Sequence, residues 1–132
     1  MKYAELLGRI FFSAIFLMSA PGHFTGGLVP YAQSQGVPLA IIAVPLSGLL
    51  ALAGALLIIL GFKARYGGAL IVLFLAPVTV MMHNFWAVTE PMARQIQMIM
   101  FMKNLSMMGG ALLIAYFGAG PLSMDAKVKP KA

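Results

Sequence analysis

The sequence predicts an all-α membrane protein, a polytopic bundle of four transmembrane helices with both termini in the cytoplasm. Hydrophobic residues make up 61% of the 132 residues and charged residues only 9%, whereas about 25% of the residues of a soluble domain are charged. Such a chain has too few polar groups to cover a water-facing surface, and its composition suits a bilayer. A helix needs roughly 20 residues, at about 1.5 Å each, to cross a hydrocarbon core of about 30 Å. Of four apolar segments, the second and fourth meet this length easily, and the first and third are nearer the short limit.

These apolar segments set the predicted domain organisation. Residues 1–124 are expected to form one transmembrane domain, and residues 125–132 a basic cytoplasmic tail. The four helices are expected over about 4–24, 38–61, 66–83 and 92–117. A lysine precedes the first segment, as in a signal peptide, but Glu5 and Arg9 interrupt it and a proline follows the cleavage-like site. We therefore interpret the first segment as a retained helix.

The orientation follows from the basic residues, which cluster at alternate ends of the segments. With four crossings, one side of the membrane receives Lys2, Arg9, Lys63, Arg65, Lys127, Lys129 and Lys131. On the other side, the link 21–37 has no formal charge, and the charges of Glu90 and Arg94 cancel in the link 84–94. Both termini are therefore predicted to be cytoplasmic.

Small residues and prolines shape the predicted helices. The second helix has a small residue at every fourth position, namely Ala43, Ser47, Ala51 and Ala55. Such a ridge lets another helix approach closely. Prolines inside the second and third helices each free a carbonyl group one turn earlier and bend the helix. The link after the first helix is rich in glycine and proline, so we expect a loop or a re-entrant segment there.

A lysine near the middle of the fourth segment gives the strongest indication of function. Lys103 shares a helix face with Ser106 and Gly110, which are small enough for close packing, so we expect Lys103 to point into the bundle beside Asn104. Ionisable residues inside membranes usually serve a function. Here that function would be the binding of an anionic or carbonyl group. The alternative is that Lys103 snorkels or bonds a carbonyl group freed by a proline.

Other polar side chains lie near the predicted membrane surfaces. Glu5 and Arg9 have the favourable i, i+4 spacing and are interpreted as a structural ion pair. His23 ends the first helix and His83 the third, so both are candidate ligand-binding residues at the outer surface. Trp86 would be an interfacial anchor or the wall of a ring-binding pocket. The alternative for the histidines is a hydrogen bond to loop backbone.

Composition disfavours several function classes. The absence of cysteine excludes thiol redox catalysis, iron–sulfur clusters and cysteine-ligated zinc by this chain alone. The 11 methionines and two histidines show no ordered ligand set, which argues against haem and copper, and no metal site is predicted. The net charge of +6 lies beside the hydrophobic segments and forms no basic stripe, so no nucleic-acid partner is expected. No self-contained catalytic motif is present.

The last third of the chain resembles a known family. HNFW at 83–86 and KNLSMMGGALLIAYFGAGPLSMD at 103–125 resemble the closing signature of the DoxX family of small four-helix proteins. The matching positions are Asn104, Leu105, Gly109, Gly110, Leu112, Leu113, Gly118, Gly120, Ser123 and Asp125. The resemblance implies a multi-pass protein of the bacterial inner membrane with links to a thiosulfate:quinone oxidoreductase, to oxidative stress or to quinone detoxification.

The leading hypothesis is therefore the membrane subunit of a redox or detoxification system that binds a quinone-like apolar ligand. Lys103 and Asn104 would bond the ligand carbonyls, His83 would exchange protons and Trp86 would hold the ring. Electrons would come from a membrane or soluble redox partner, so the chain would be enzymatic only as a subunit of a quinone-linked oxidoreductase. The alternative is a non-enzymatic assembly factor or chaperone that binds other transmembrane segments. A transporter would require a homo-oligomer.

Overall fold

The computed structural model describes residues 2–128, which form helices joined by short connections. Four helices are long and apolar enough to cross a membrane: α1 (Lys2–Phe24), α3 (Ala40–Leu60), α4 (Ala64–Met82) and α5 (Pro91–Phe117). The connections contain α2 (Val29–Ser34), a 3-10 turn (Phe85–Ala87) and α6 (Met124–Val128). Within residues 2–128 there is no strand. The predicted all-α bundle of four membrane spans is confirmed, and the cytoplasmic position of both termini stays a prediction.

The helices pack in the order α1, α3, α4, α5, with α3 and α4 in the middle. We call the end with the start of α1, the α3–α4 link and α6 the inner end, and the opposite end the outer end. The shared core contains Phe16, Ala51, Ala55, Ile58, Ile71, Phe74, Leu75 and Ala111. Half of the small-residue ridge of α3, Ala51 and Ala55, is therefore buried within the bundle and is closed to any other chain.

Two adjacent glycines let α4 approach both of its neighbours. A Cβ on Gly67 would lie 2.9 Å from the carbonyl oxygen of Gly54 in α3. A Cβ on Gly68 would lie 2.6 Å from the carbonyl oxygen of Ala111 in α5. Because these contacts are with backbone atoms, they leave no room for a side chain. The pair fixes the spacing of three of the four spans.

At the outer end of the bundle, α1 ends before it reaches the level at which α3 begins. His23, next to the last residue of α1, packs so closely on Gly48 that a Cβ there would lie 2.5 Å from the Cβ of His23. Gly48 is eight residues inside the start of α3, or about 12 Å along the helix axis. The short helix α2 folds into the space that is left, and its Ala32 packs against Val44 of α3. The glycine-rich link thus folds back alongside the start of α3.

At the inner end, the chain after α5 folds back across the bundle. The carboxylate of Asp125 accepts hydrogen bonds from the backbone N–H groups of Lys63 (2.7 Å) and Ala64 (3.1 Å), which start α4. The backbone N–H of Asp125 donates to the carbonyl of Gly61. Residues 124–128, most of which the sequence assigned to a free tail, therefore form a docked helix. Residues 129–132 of the predicted tail lie outside the described residues.

Arg9 ties this inner segment to the bundle. Its side chain is only 4% exposed, and its guanidinium donates hydrogen bonds to the carbonyl oxygens of Leu122 and Ile58. The expected ion pair with Glu5 is not formed in the described part of the chain, because the guanidinium turns towards these carbonyl groups. The carboxylate of Glu5 instead lies where a side chain on Gly120 would be.

Candidate functional site: the outward face of α5

Helix α5 packs against the bundle along one side only. It has 27 residues, of which only Asn104 and Ala111 are buried. These two are seven residues apart and therefore lie on one line facing α4. Most of the remaining surface of this long, apolar helix is exposed in the isolated chain.

Lys103 lies on the exposed side of α5 and not inside the bundle. Its Nζ atom is 3.4 Å from the Sδ atom of Met100, one turn nearer the outer end. The prediction that Lys103 points inward assumed that Ser106 lies on the packing face of the helix. In the structure Ser106 is exposed, and its hydroxyl donates to the carbonyl of Met102. Asn104, at 4% exposed, takes the inward position. The difference is a helix rotation of about 100°, the angle between adjacent residues.

A glycine pair shows where α5 meets its own chain and where it does not. A Cβ on Gly110 would lie 3.0 Å from the ring of Phe12 in α1. A Cβ on Gly109 would meet no atom within 4 Å. Packing within this chain therefore gives no reason for a glycine at position 109. We call the surface formed by Lys103, Ser106 and Gly109 the Lys103–Gly109 face. All three residues are exposed, and at about 100° per residue they span about 120° of the side of α5 opposite Asn104.

The other predicted site residues lie in separate places. His83 Nδ1 is 2.8 Å from Oε1 of Gln97 at the outer end of α5. Trp86 is 55% exposed and packs edge to face on Phe101. His23 contacts the ring of Phe74. Apart from Lys103 and Asn104, which are neighbours in sequence but lie on different sides of α5, no hydrogen bond or ring contact within residues 2–128 joins any two of the five candidate ligand-binding residues, Lys103, Asn104, His83, Trp86 and His23.

An apolar cavity of about 280 Å³ lies beneath α2 at the outer end. Of the predicted site residues only His23 lines it, together with hydrophobic residues such as Val44, Met81 and Met82. His23 Nδ1 lies 3.2 Å from the carbonyl oxygen of Ser19. A carbonyl only accepts, so Nδ1 carries a proton in this hydrogen bond. The sequence did not predict this cavity, because it depends on the early end of α1.

Side chains that could bind a metal ion do not cluster in the described part of the chain. Among residues 2–128, no three His, Cys, Asp or Glu side chains are close enough together to hold one. The two histidines each have a different polar partner, a carbonyl of α1 for His23 and Gln97 for His83.

Glu90 caps the outer end of α5, and acid is expected to loosen this end. The backbone N–H groups of Ala93 (2.6 Å) and Met92 (3.0 Å) donate to its carboxylate and lower the pKa of Glu90 below the ordinary 4.5. A lowered pKa stabilises the fold above pH 4.5, and this contribution is lost as the pH falls through the lowered value. We expect the hydrogen-exchange protection factor of Met92 to drop in that range. In Glu90→Ala it should be low at every pH, and an equal acid-dependent drop in that variant would contradict the assignment.

Comparison with known proteins places the chain in a family. Residues 39–131 match the SURF4 family, and this match covers α3, α4, α5 and the docked inner segment. The chain belongs to the SURF4 family. It is 32% identical over 122 residues to the inner membrane protein YphA of Escherichia coli, covering 91% of this chain and 86% of that protein. No solved structure matches it.

Two yeast proteins are further relatives. The chain is 30% identical over 128 residues to the Surfeit locus protein 4 homolog of Schizosaccharomyces pombe, covering 96% of this chain and 38% of that protein. It is 31% identical over 80 residues to the ER-derived vesicles protein ERV29 of Saccharomyces cerevisiae, covering 61% of this chain and 26% of that protein.

These findings correct the functional prediction. The assignment to the DoxX family is wrong, because the family that matches is SURF4. The redox or detoxification subunit, its quinone-like ligand and its link to oxidative stress are wrong with it, since the relatives are named a Surfeit locus protein 4 homolog and a protein of ER-derived vesicles. The inner segment shows why the signature misled. Ser123 bonds Gly120 and Ala126, and Asp125 caps α4, so both build a turn. The prediction of a multi-pass protein of the bacterial inner membrane is confirmed.

Proposed function

We propose that this member of the SURF4 family is a non-enzymatic membrane protein whose Lys103–Gly109 face binds a transmembrane helix of another membrane protein during its assembly. Membership of a family that includes a protein of ER-derived vesicles supports a role in handling other proteins. The observation that carries the proposal is the outward position of Lys103 on a span that is packed on one side only.

The surroundings of Lys103 call for a partner. Lys103 lies six residues after Gln97, or about 9 Å further along the axis of α5 towards the inner end. A lysine at the centre of a membrane helix costs about 2.5–3.5 kcal/mol on insertion scales. The thioether of Met100, at 3.4 Å, is only a weak acceptor for an ammonium group. A carboxylate on a neighbouring helix would offset this cost.

The partner is a different protein and not a second copy of this chain. The chain has only three acids, and all lie at the ends of spans: Glu5 and Asp125 at the inner end and Glu90 at the outer end. Glu90 is thirteen residues from Lys103, or about 20 Å along the helix. A second copy in the same orientation therefore cannot place a carboxylate beside Lys103. The proposed partner is a membrane-spanning helix with an Asp or Glu near its middle, at the level of Lys103.

Small residues beside the lysine fit a helix as the occupant. Gly109 and Ser106 are exposed, and Gly109 has open space where a Cβ would be. Small residues on a lipid-facing surface let a second helix backbone come close, which favours helix–helix packing over packing with lipid chains.

Site-specific photo-crosslinking in the native membrane tests this function. A photoreactive amino acid replaces Ser106, and a matched control replaces Leu49, which is exposed near the middle of α3. We expect position 106 to crosslink to a membrane-spanning peptide that contains Asp or Glu, and position 49 to give lipid adducts only. Neutralising that acid in the partner should then abolish the crosslink. Lipid adducts at both positions, or crosslinks to a second copy, would contradict the proposal.

The glycine pair separates partner binding from folding. Gly109→Leu should leave the thermal unfolding of the purified protein unchanged within about 0.5 kcal/mol, because its side chain meets open space. In the membrane it should strongly reduce crosslinking from position 106, because it fills the path of the partner helix. Gly110→Leu should lower stability, since the ring of Phe12 is 3.0 Å from the Cβ position. Unchanged crosslinking in Gly109→Leu would count against the Lys103–Gly109 face.

A further inference from the structure

A second cavity, of about 720 Å³, lies at the inner end of the bundle. Its walls are the start of α4, the end of α5 and the segment that leads to α6. Lys63 and Arg65 line it together with Tyr66 and Phe117. The assembly role proposed above makes no use of this cavity. Its volume lies in the range of about 300–1,000 Å³ that small-molecule sites occupy.

The charges in this cavity favour an anion. Within the described residues, neither Lys63 nor Arg65 forms an ion pair. Lys63 lies over the ring of Phe62, with Nζ 5.7 Å from its centroid. Asp125 also lines the cavity, but both of its carboxylate oxygens already accept backbone N–H groups. The two cations therefore remain available to a ligand.

The position of the cavity in the membrane limits the class of ligand that it can bind. Ala64 begins one membrane span and Phe117 ends another, so the cavity lies at the level where the hydrocarbon core meets the headgroups. Tyr66 and Phe117 are largely exposed there, as aromatic residues at membrane interfaces often are. A ligand in this place meets cations on its polar side and aromatic rings on its apolar side.

We propose that the inner cavity binds the headgroup of an anionic phospholipid, with its phosphate between Lys63 and Arg65 and its acyl chains along Tyr66 and Phe117. Basic pockets between membrane helices are suited to such headgroups. A zwitterionic headgroup binds less well, because its own ammonium group is repelled by the same two cations. The site is independent of the Lys103–Gly109 face, which lies on the outward side of α5.

Native mass spectrometry of the purified protein in mixed micelles tests the site. The probes are dioleoylphosphatidylglycerol and dioleoylphosphatidylcholine, offered in equal amounts. The wild type should retain phosphatidylglycerol in preference. In the double variant Lys63→Asn, Arg65→Gln, the ratio of retained phosphatidylglycerol to retained phosphatidylcholine should fall by at least about tenfold. Asparagine is chosen at position 63 because the backbone there is left-handed, with φ of 47°. Arg94→Gln, at an exposed arginine of the outer end, is the matched control and should keep the preference.

Four outcomes would overturn the proposal. One is equal retention of the two lipids by the wild type. Another is an equal loss of preference in Arg94→Gln, which would mean that general positive charge attracts the lipid. The third is displacement of the lipid by millimolar inorganic phosphate, which would make the cavity a seat for a soluble phosphate. Retention of the preference in the double variant, with an unchanged circular dichroism melt, would also exclude the site.

Discussion

Gly68→Val is expected to lower the free energy of unfolding by about 3 kcal/mol or more and to separate α5 from α4. A Cβ at this position would lie 2.6 Å from the carbonyl oxygen of Ala111 and 2.7 Å from the backbone N of Ala115. A flexible side chain can move aside when a larger residue is introduced nearby, but here the obstacle is the backbone of a packed helix. The whole of α5 must therefore move. Thermal unfolding of the purified protein, followed by circular dichroism, measures the effect.

Gly109→Val provides the matched control for this change. It introduces the same side chain into the middle of α5, where a Cβ meets no atom within 4 Å. We expect the purified control protein to unfold at the temperature of the wild type. Equal melting of Gly68→Val and Gly109→Val would refute the close α4–α5 contact at Gly68.

Arg9→Met should have the second-largest effect, a loss of about 2–4 kcal/mol in unfolding free energy. The guanidinium joins three parts of the chain, since it lies on α1 and donates to carbonyl groups of Ile58 and Leu122. Methionine keeps much of the apolar length of the side chain but donates no hydrogen bond, so Leu122 and the segment after it lose an anchor. We expect both a lower melting temperature and faster cleavage of the chain by trypsin at Lys127.

The controls for Arg9 separate its hydrogen bonds from its charge. Arg9→Lys keeps the charge, but one compact ammonium group replaces the planar fork and does not serve both carbonyl groups equally well. It should therefore restore only part of the stability. Arg94→Met removes an exposed arginine and should leave melting and cleavage unchanged. Wild-type cleavage at Lys127 in Arg9→Met would show that Arg9 does not hold the inner segment.

The spans were predictable from the sequence because each is a long apolar run whose length matches a bilayer. The rotation of α5 about its axis was not. Along this helix apolar residues occur on every side, so periodicity did not show which side packs, and the small residues Ser106 and Gly110 were taken as the packing face. In the structure Asn104 and Ala111 face α4, and this places Lys103 on the outside.

The C-terminal signature was visible in the sequence, but its meaning was not. Gly120, Ser123 and Asp125 were interpreted as marks of a redox family. In the structure Gly120 has a positive φ of 76° and makes room for Glu5, and Ser123 and Asp125 supply hydrogen bonds for the fold-back. These residues describe how the inner end closes. They carry no information about electron transfer, and the sequence signature therefore led to the wrong family.

The most direct test of the account is the yield of the crosslink from position 106 in Lys103→Met, measured beside Lys103→Arg in the native membrane. If the lysine pairs with an acid on a partner helix, methionine should reduce the yield at least about tenfold, while arginine keeps the charge and most of the yield. The purified variants should melt like the wild type, because the described contact of the Lys103 amine is with Met100 alone. Full crosslinking in a stable Lys103→Met protein would contradict the proposed function.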